Sequence, residues 1–160
     1  MTTSRKPSPR TRTFCKDFAR VFPHSVYSSR GKASLDSVIE KARELGKEFI
    51  AIVFETNGNP SKIEFIKVSE DSWDWAKSLQ LTGVSLSREI SGKKIEIPTD
   101  LSISGKSKQL EEFLVEVFGL DYFIDESEFQ IKLTNKPLQI TFTYDGKEVG
   151  PTLNVKKVGE

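Results

Sequence analysis

One cysteine, one histidine and one methionine are all that the 160-residue chain contains of those types. A single cysteine excludes an intramolecular disulfide, so the fold does not rely on oxidation. Too few soft ligands remain for a structural zinc site. A nucleophile–base pair of Cys15 and His24 would need contact and an exposed, low-pKa thiol, whereas Cys15 sits among apolar neighbours and reads as a packed core residue. His24, after Pro23 at a helix exit, reads as a surface or capping residue, with stacking on RNA as the minor alternative. No apolar run approaches the ~18 residues of a membrane span. The basic start lacks the apolar stretch and cleavage site of a signal peptide. The segment Ser-Arg-Lys-Pro-Ser at 4–8 has no glycine framework and does not fit a nucleotide-phosphate loop. Carboxylates are plentiful but fall on helix faces and loops. The expectation is a cytoplasmic protein with no catalytic residues, no metal and no cofactor.

Charge is where the chain departs from the ordinary. Residues 1–32 hold eight basic side chains (Arg5, Lys6, Arg10, Arg12, Lys16, Arg20, Arg30 and Lys32) and one acidic, Asp17, a net of +7. The other 128 residues hold 16 basic and 22 acidic side chains, a net of −6. A whole-chain charge of +1 therefore hides a polarised molecule. Such asymmetry points to a polyanionic partner met at one end.

Local pattern places these charges. Ser8 suits an N-cap and Pro9 the first helical position, so a helix is expected over 9–22. Phe14, Cys15, Phe18, Val21 and Phe22 share its apolar face, with Arg12, Lys16 and Arg20 opposite. Arg5, Lys6 and Arg10 crowd the helix N-terminus, where free N–H groups and the dipole favour phosphate. A solvated basic helix face accounts for Arg12, Lys16 and Arg20 equally well, but not for cations at the unfavourable end of the dipole. A strand is expected over 25–28, then a basic loop at Arg30-Gly31-Lys32, then a helix over 35–45 capped by Ser34 and stopped by Gly46. The run 49–54 reads as a buried strand and 62–68 as its partner across Asn57-Gly58-Asn59-Pro60. The acidic, aromatic stretch 70–75 reads as a loop. A strand over 77–86 is interrupted by Gly83, and 93–98 looks extended. A third helix starts at Ser107 and stops at Gly119, followed by strands over 129–133, 138–144 and 152–158. Asp145-Gly146 marks a hairpin between the last two. The class is α/β.

The opening TTSRKPSPRTRTFCKDFARVFP, with its basic-Gly step at Arg30-Gly31, resembles the signature of the Brix-domain family of ribosome-biogenesis proteins. FIAIVFETNGNPSKIEFIKV and Gly150-Pro151 with LNVKKV continue the resemblance over nearly the whole chain. It is most similar to the branch acting on small-subunit rRNA precursors. Thr152 stands where many members carry Arg after that Gly-Pro, which sets a second basic contact there in doubt. The resemblance implies a single Brix domain over 1–160, with halves at about 1–75 and 76–160. Each half would resemble an anticodon-binding domain of aminoacyl-tRNA synthetases. The absence of extensions resembles the minimal archaeal form. The faint repeat of Ser4-Arg5-Lys6 and Ser104-Gly105-Lys106, each before an aromatic-faced helix, agrees with two related halves. The second helix carries Glu111, Glu112 and Glu116, so phosphate binding is expected in the first half.

The expected function is non-catalytic binding of rRNA or pre-rRNA during ribosome assembly. The expected RNA-binding residues are Arg5, Lys6, Arg10, Arg12, Lys16, Arg20, Tyr27, Arg30 and Lys32, with Tyr27 stacking a base or packing half-buried in a strand. The alternative class is a protein-interaction module docking ribosomal or assembly proteins, with the free protein a monomer. Trp73 and Trp75 either cover the core edge or anchor a protein partner.

Overall fold

The structure, a computed structural model, describes residues 1–92, 96–119 and 124–159. After a two-residue strand β1 (Thr2–Thr3), helix α1 runs Pro9–Arg20. Ser8 caps it, its hydroxyl accepting from the Thr11 amide at 3.1 Å. All five residues of the expected apolar face are buried. Helix α2 (Leu35–Glu44) is capped by Ser34 and followed by the antiparallel strands β2 (Phe49–Thr56), β3 (Asn59–Val68) and β4 (Trp73–Ser85). A single-turn helix α3 (Ser87–Ile90) leads on to β5 (Ser102–Gly105), α4 (Lys108–Phe118), β6 (Phe129–Asn135), β7 (Leu138–Tyr144), β8 (Lys147–Glu148) and β9 (Thr152–Gly159).

These strands form one mixed sheet in the order β1-β2-β3-β4-β9-β7-β6-β5, with β8 beside β7. Pairing runs the same way from each outer edge: a parallel pair (β1–β2, β5–β6), then antiparallel pairs to the middle. The two sets meet at the antiparallel β4–β9 ladder, from Ser78↔Gly159 to Ser85↔Thr152.

Alternation along the strands builds two cores. Ile63 and Phe65 of β3 face a large core shared by α1 and α4, while Ile66 and Val68 face a smaller one under α2. The large core is held by phenylalanines from both helices. Phe22 stacks on Phe118 at 3.7 Å between ring centroids, and Phe18 meets Phe118 edge-on at 6.2 Å. Phe22 also meets Phe142 of β7, and Phe113 meets Phe65 of β3. Such pairs add ~0.5–1.5 kcal/mol each beyond area burial.

Four local expectations change. Residues 25–28 form no strand: they run extended, with the Ser28 amide donating to the Met1 carbonyl at 2.9 Å, because β1 is too short to carry a ladder further. The stretch 70–75 is a loop only at its tip. Hydrogen bonds between Ser69 and Ser72 close the turn, and Trp73 already begins β4, which then crosses position 75 and continues through Gly83. Asp145-Gly146, both at positive φ, turns β7 into the short β8, and β9 then pairs with the far end of β7. Of 93–98, residues 93–95 lie outside the described residues and 96–98 are irregular.

Cys15 is fully buried, its thiol donating to the Thr2 carbonyl at 3.4 Å, and burial pushes its pKa up to about 12. A thiol reagent should therefore label the native protein no faster than the chain opens, and rapid labelling would contradict burial. In urea denaturation, Cys15→Ser should cost about 1–3 kcal/mol.

Candidate nucleic-acid interface

The basic opening segment is fastened to the fold at three points, and these decide which cations remain free. The first is the start of α1. The Ser8 amide donates to the Glu55 carboxylate of β2 at 2.9 Å, and the Ser8 hydroxyl donates to the Gly58 carbonyl at 2.8 Å. Hydrogen bonds from Thr11 and Ser8 hold the Glu55 carboxyl below its ordinary pKa. The expected phosphate position at this helix terminus is thus taken by the protein's own carboxylate, from the strand that ends at the Asn57-Gly58 turn.

Arg10 is the second point. Its guanidinium donates to the Val84 carbonyl of β4 at 2.9 Å and pairs with Glu89 of α3 at 3.1 Å. Glu89 in turn accepts from the Leu86 amide, and Asp17 accepts from the Ser87 amide at 3.0 Å, with burial raising the Asp17 pKa. Arg10 and Asp17 thereby brace α1 against the β4–α3 junction.

Arg30 is the third. It is buried, donating from Nε to the Ala33 carbonyl at 2.8 Å and from Nη1 to the Thr3 carbonyl at 3.2 Å. Burial lowers its pKa, and the nearby charge of Arg5 lowers it further. Arg30 was expected to face a ligand; in the fold it clamps β1 to the start of α2.

The remaining cations point outward. Arg5, Lys6, Arg12, Lys16 and Lys32 are exposed and Arg20 is half-buried. Among the described residues none of these six has a carboxylate within 4.0 Å. Lys16 lies over the Tyr27 ring, 5.4 Å from Nζ to the centroid. Burial raises the Tyr27 pKa, and its hydrogen bond to Ser29 and the charge of Arg12 oppose that rise. Arg12, Lys16 and Tyr27 therefore form one group on the outer side of α1. The extended 27–30 segment connects it to Arg30, with Arg5 alongside.

Elsewhere the surface is different in kind. On α4, Glu111, Glu112 and Glu116 are exposed, and two of them are paired: Glu112 with Lys108 at 3.7 Å and Glu116 with Lys77 at 3.1 Å. Thr152 is buried and pairs with Ser85 in the β4–β9 ladder. A cleft of about 580 Å³ opens behind the 24–29 segment, lined by Val26, Val38, Leu45 and Phe49 with Lys41 and Lys47. Among the described residues no three His, Cys, Asp or Glu side chains gather in a way that could hold a metal ion. No helix of the described residues is long and apolar enough to cross a membrane.

No family model matches the chain. Individual proteins do. It is 33% identical to a protein of Methanococcus maripaludis named as a probable Brix domain-containing ribosomal biogenesis protein, over 99% of this chain and 95% of that one. A protein of the same name from Pyrococcus abyssi is 43% identical over 90 residues, which span 56% of this chain and 40% of that one. The chain thus spans well under half the length of that relative. The crystal structure of a probable ribosomal biogenesis protein from Aeropyrum pernix superposes with a TM-score of 0.83 at 26% identity, covering 99% of this chain and 97% of that one.

The Glu55 anchor yields a pH signature. A carboxyl whose pKa is depressed by folding stabilises the fold above the unfolded value, about 4.3, and loses that contribution as pH falls through the lower folded value. Glu55→Gln should be less stable than the parent at neutral pH by about 0.5–1 kcal/mol, the scale of a helix-terminus charge or cap. The gap should close as pH drops below about 4. Parallel denaturation curves at both pH values check this.

Proposed function

The chain belongs to the Brix domain-containing ribosomal biogenesis proteins, and from that membership we propose that it is a non-catalytic RNA-binding factor that holds a segment of pre-rRNA during subunit assembly. The observation that carries this reading is the outward group of Arg12, Lys16 and Tyr27, with Arg5, Lys6 and Lys32 on the flanking loops and no carboxylate paired to any of these cations among the described residues. Cations left without protein partners keep their charge for phosphates, which position an RNA without reading its sequence. Tyr27, with Lys16 on its ring, suits stacking of an unpaired base, the usual source of selectivity in RNA recognition. Arg10 and Arg30 act by fixing α1 and the 27–30 segment rather than by touching RNA.

The similarity of the opening signature favours a small-subunit rRNA precursor as that RNA, met in the cytoplasm by a monomer. The matching strand order from each edge of the sheet supports reading the halves as copies of one unit related to anticodon-binding domains. On that reading the copies have diverged in charge: α1 meets RNA, and the carboxylates of α4 discourage indiscriminate coating of RNA.

Salt titrations on a single-stranded RNA test the reading. Replacing Arg12 and Lys16 together by Ala should weaken binding and lower the slope of log K against log salt by about 1.4, at about 0.7 per phosphate contact. The fold should survive, since both side chains are exposed. Arg30→Ala should instead lower stability, by removing a buried cation from two carbonyls. An unchanged slope in the double variant would refute the assignment.

A further inference from the structure

The side of the sheet away from α1 and α4 is covered over one half only. There α2 buries Ile50, Ile52, Ile66 and Val68 of β2 and β3. Among the described residues no helix packs over the continuation of that side across β4, β9, β7 and β6.

The sequence of these strands matches an open face. Leu79, Ile131, Ile140 and Leu153 point into the large core, and the positions that alternate with such residues are polar. Gln80, Gln130, Lys132, Gln139, Asn154 and Lys157 make up the open side, and none of them is buried. The register sets Gln80 opposite Lys157, Gln139 opposite Asn154 and Lys132 opposite Thr141.

What this face lacks limits its partner. None of the six side chains is aromatic or aliphatic. Protein interfaces draw on buried apolar and aromatic anchors, and unpaired bases on stacking platforms. The face offers charge and hydrogen bonds instead. Lys132 and Lys157 have no carboxylate within 4.0 Å among the described residues. Two carboxylates border the face: Glu64 is paired with Lys62 at 3.0 Å, and exposed Glu148 stands at the far end, beside Thr143. In the middle, the Gln139 amide donates to the Asn154 side-chain carbonyl at 2.7 Å. That bond leaves the Asn154 nitrogen to donate and the Gln139 oxygen to accept. A ribose 2′-hydroxyl does both in return.

Resting on the RNA-binding reading, we propose that this face receives double-helical RNA across its minor groove. The minor groove of an A-form helix is wide and shallow and displays its 2′-hydroxyls, so a broad sheet face reaches them. The Gln139–Asn154 pair meets a 2′-hydroxyl, and Lys132 and Lys157 meet phosphates to either side of it. Because α1 lies on the opposite side of the sheet, one molecule holds a paired and an unpaired segment at once.

The probe is a labelled, blunt-ended RNA duplex of about 16 base pairs, enough for two successive minor grooves. It is compared on the whole chain with a DNA duplex of the same sequence and with an unstructured single-stranded RNA. In anisotropy titrations the RNA duplex should bind at least about tenfold more tightly than the DNA duplex, and Asn154→Ala should remove most of that preference. Lys132→Gln with Lys157→Gln should lower the slope of log K against log salt on the duplex by about 1.8, at about 0.9 per phosphate, and leave single-strand binding unchanged. Arg12→Ala with Lys16→Ala should do the reverse. Thermal melts check folding; both lysines are exposed, so their variant stays informative even where Asn154→Ala does not fold. Equal affinity for the RNA and DNA duplexes would overturn the 2′-hydroxyl contact, and an unchanged duplex slope in the lysine variant would overturn the face. A duplex that fails to bind while the single strand binds sinks this proposal and leaves the reading of α1 standing. Loss of single-strand binding alone does the opposite.

Discussion

Phe22, in the turn just after α1, and Phe118, the last residue of α4, stack at 3.7 Å and come from different halves of the chain. Much else depends on that contact. The β4–β9 ladder joins the strands β1–β4 and β5–β9 into one nine-stranded sheet, and only then do α1 and α4 lie on the same face, over one core. Neither helix could bury its phenylalanines on its own half-sheet alone, since Phe118 meets Phe18, Phe22 and Phe65 while Phe22 meets Phe142. The apolar sides of both helices face inward, so their polar sides face out together, one basic and one acidic.

The cations divide into two kinds by the same logic. Those whose reach ends at a backbone carbonyl, Arg10 and Arg30, hold elements together. Those on the outer turns of α1 and the adjoining loops meet no carboxylate among the described residues. They add little to stability, because exposed charges gain little from the fold. What they retain is affinity for anions. The charge that α1 needs at its own N-terminus comes from Glu55, so the crowding of Arg5, Lys6 and Arg10 there costs the helix less than an uncapped end would.

Much of the fold was legible in the sequence because it is written locally. The Phe14–Phe22 spacing, the Ser8, Ser34 and Ser107 caps and the apolar run 49–54 each need only neighbours in the chain to be read; the Asp145-Gly146 turn was read in the same way, but not the short β8 that it leads into. What escaped was set by distant partners. Two-residue β1 exists because β2 accepts it in parallel, and β4 starts at Trp73 because β3 pairs with it there. Glu55 is 47 positions from the amide that it caps, and Glu89 is 79 from Arg10; no local pattern marks either. Composition picks out the basic opening segment as a whole; the fold leaves Arg5, Lys6, Arg12, Lys16 and Lys32 exposed and engages Arg10 and Arg30, which composition could not separate from them. That distinction is one of reach and burial, not residue type.

The central claim is that RNA lies along the outer side of α1 and the 27–32 loop. Photo-crosslinking to a single-stranded RNA carrying 4-thiouridine, followed by mass spectrometry of the adducted peptides, tests it most directly. Adducts concentrated between residues 5 and 32, with Tyr27 among them, are the expected result. Adducts concentrated on α4 or on the Trp73–Trp75 hairpin, with none on α1 or the loop after it, would contradict the account.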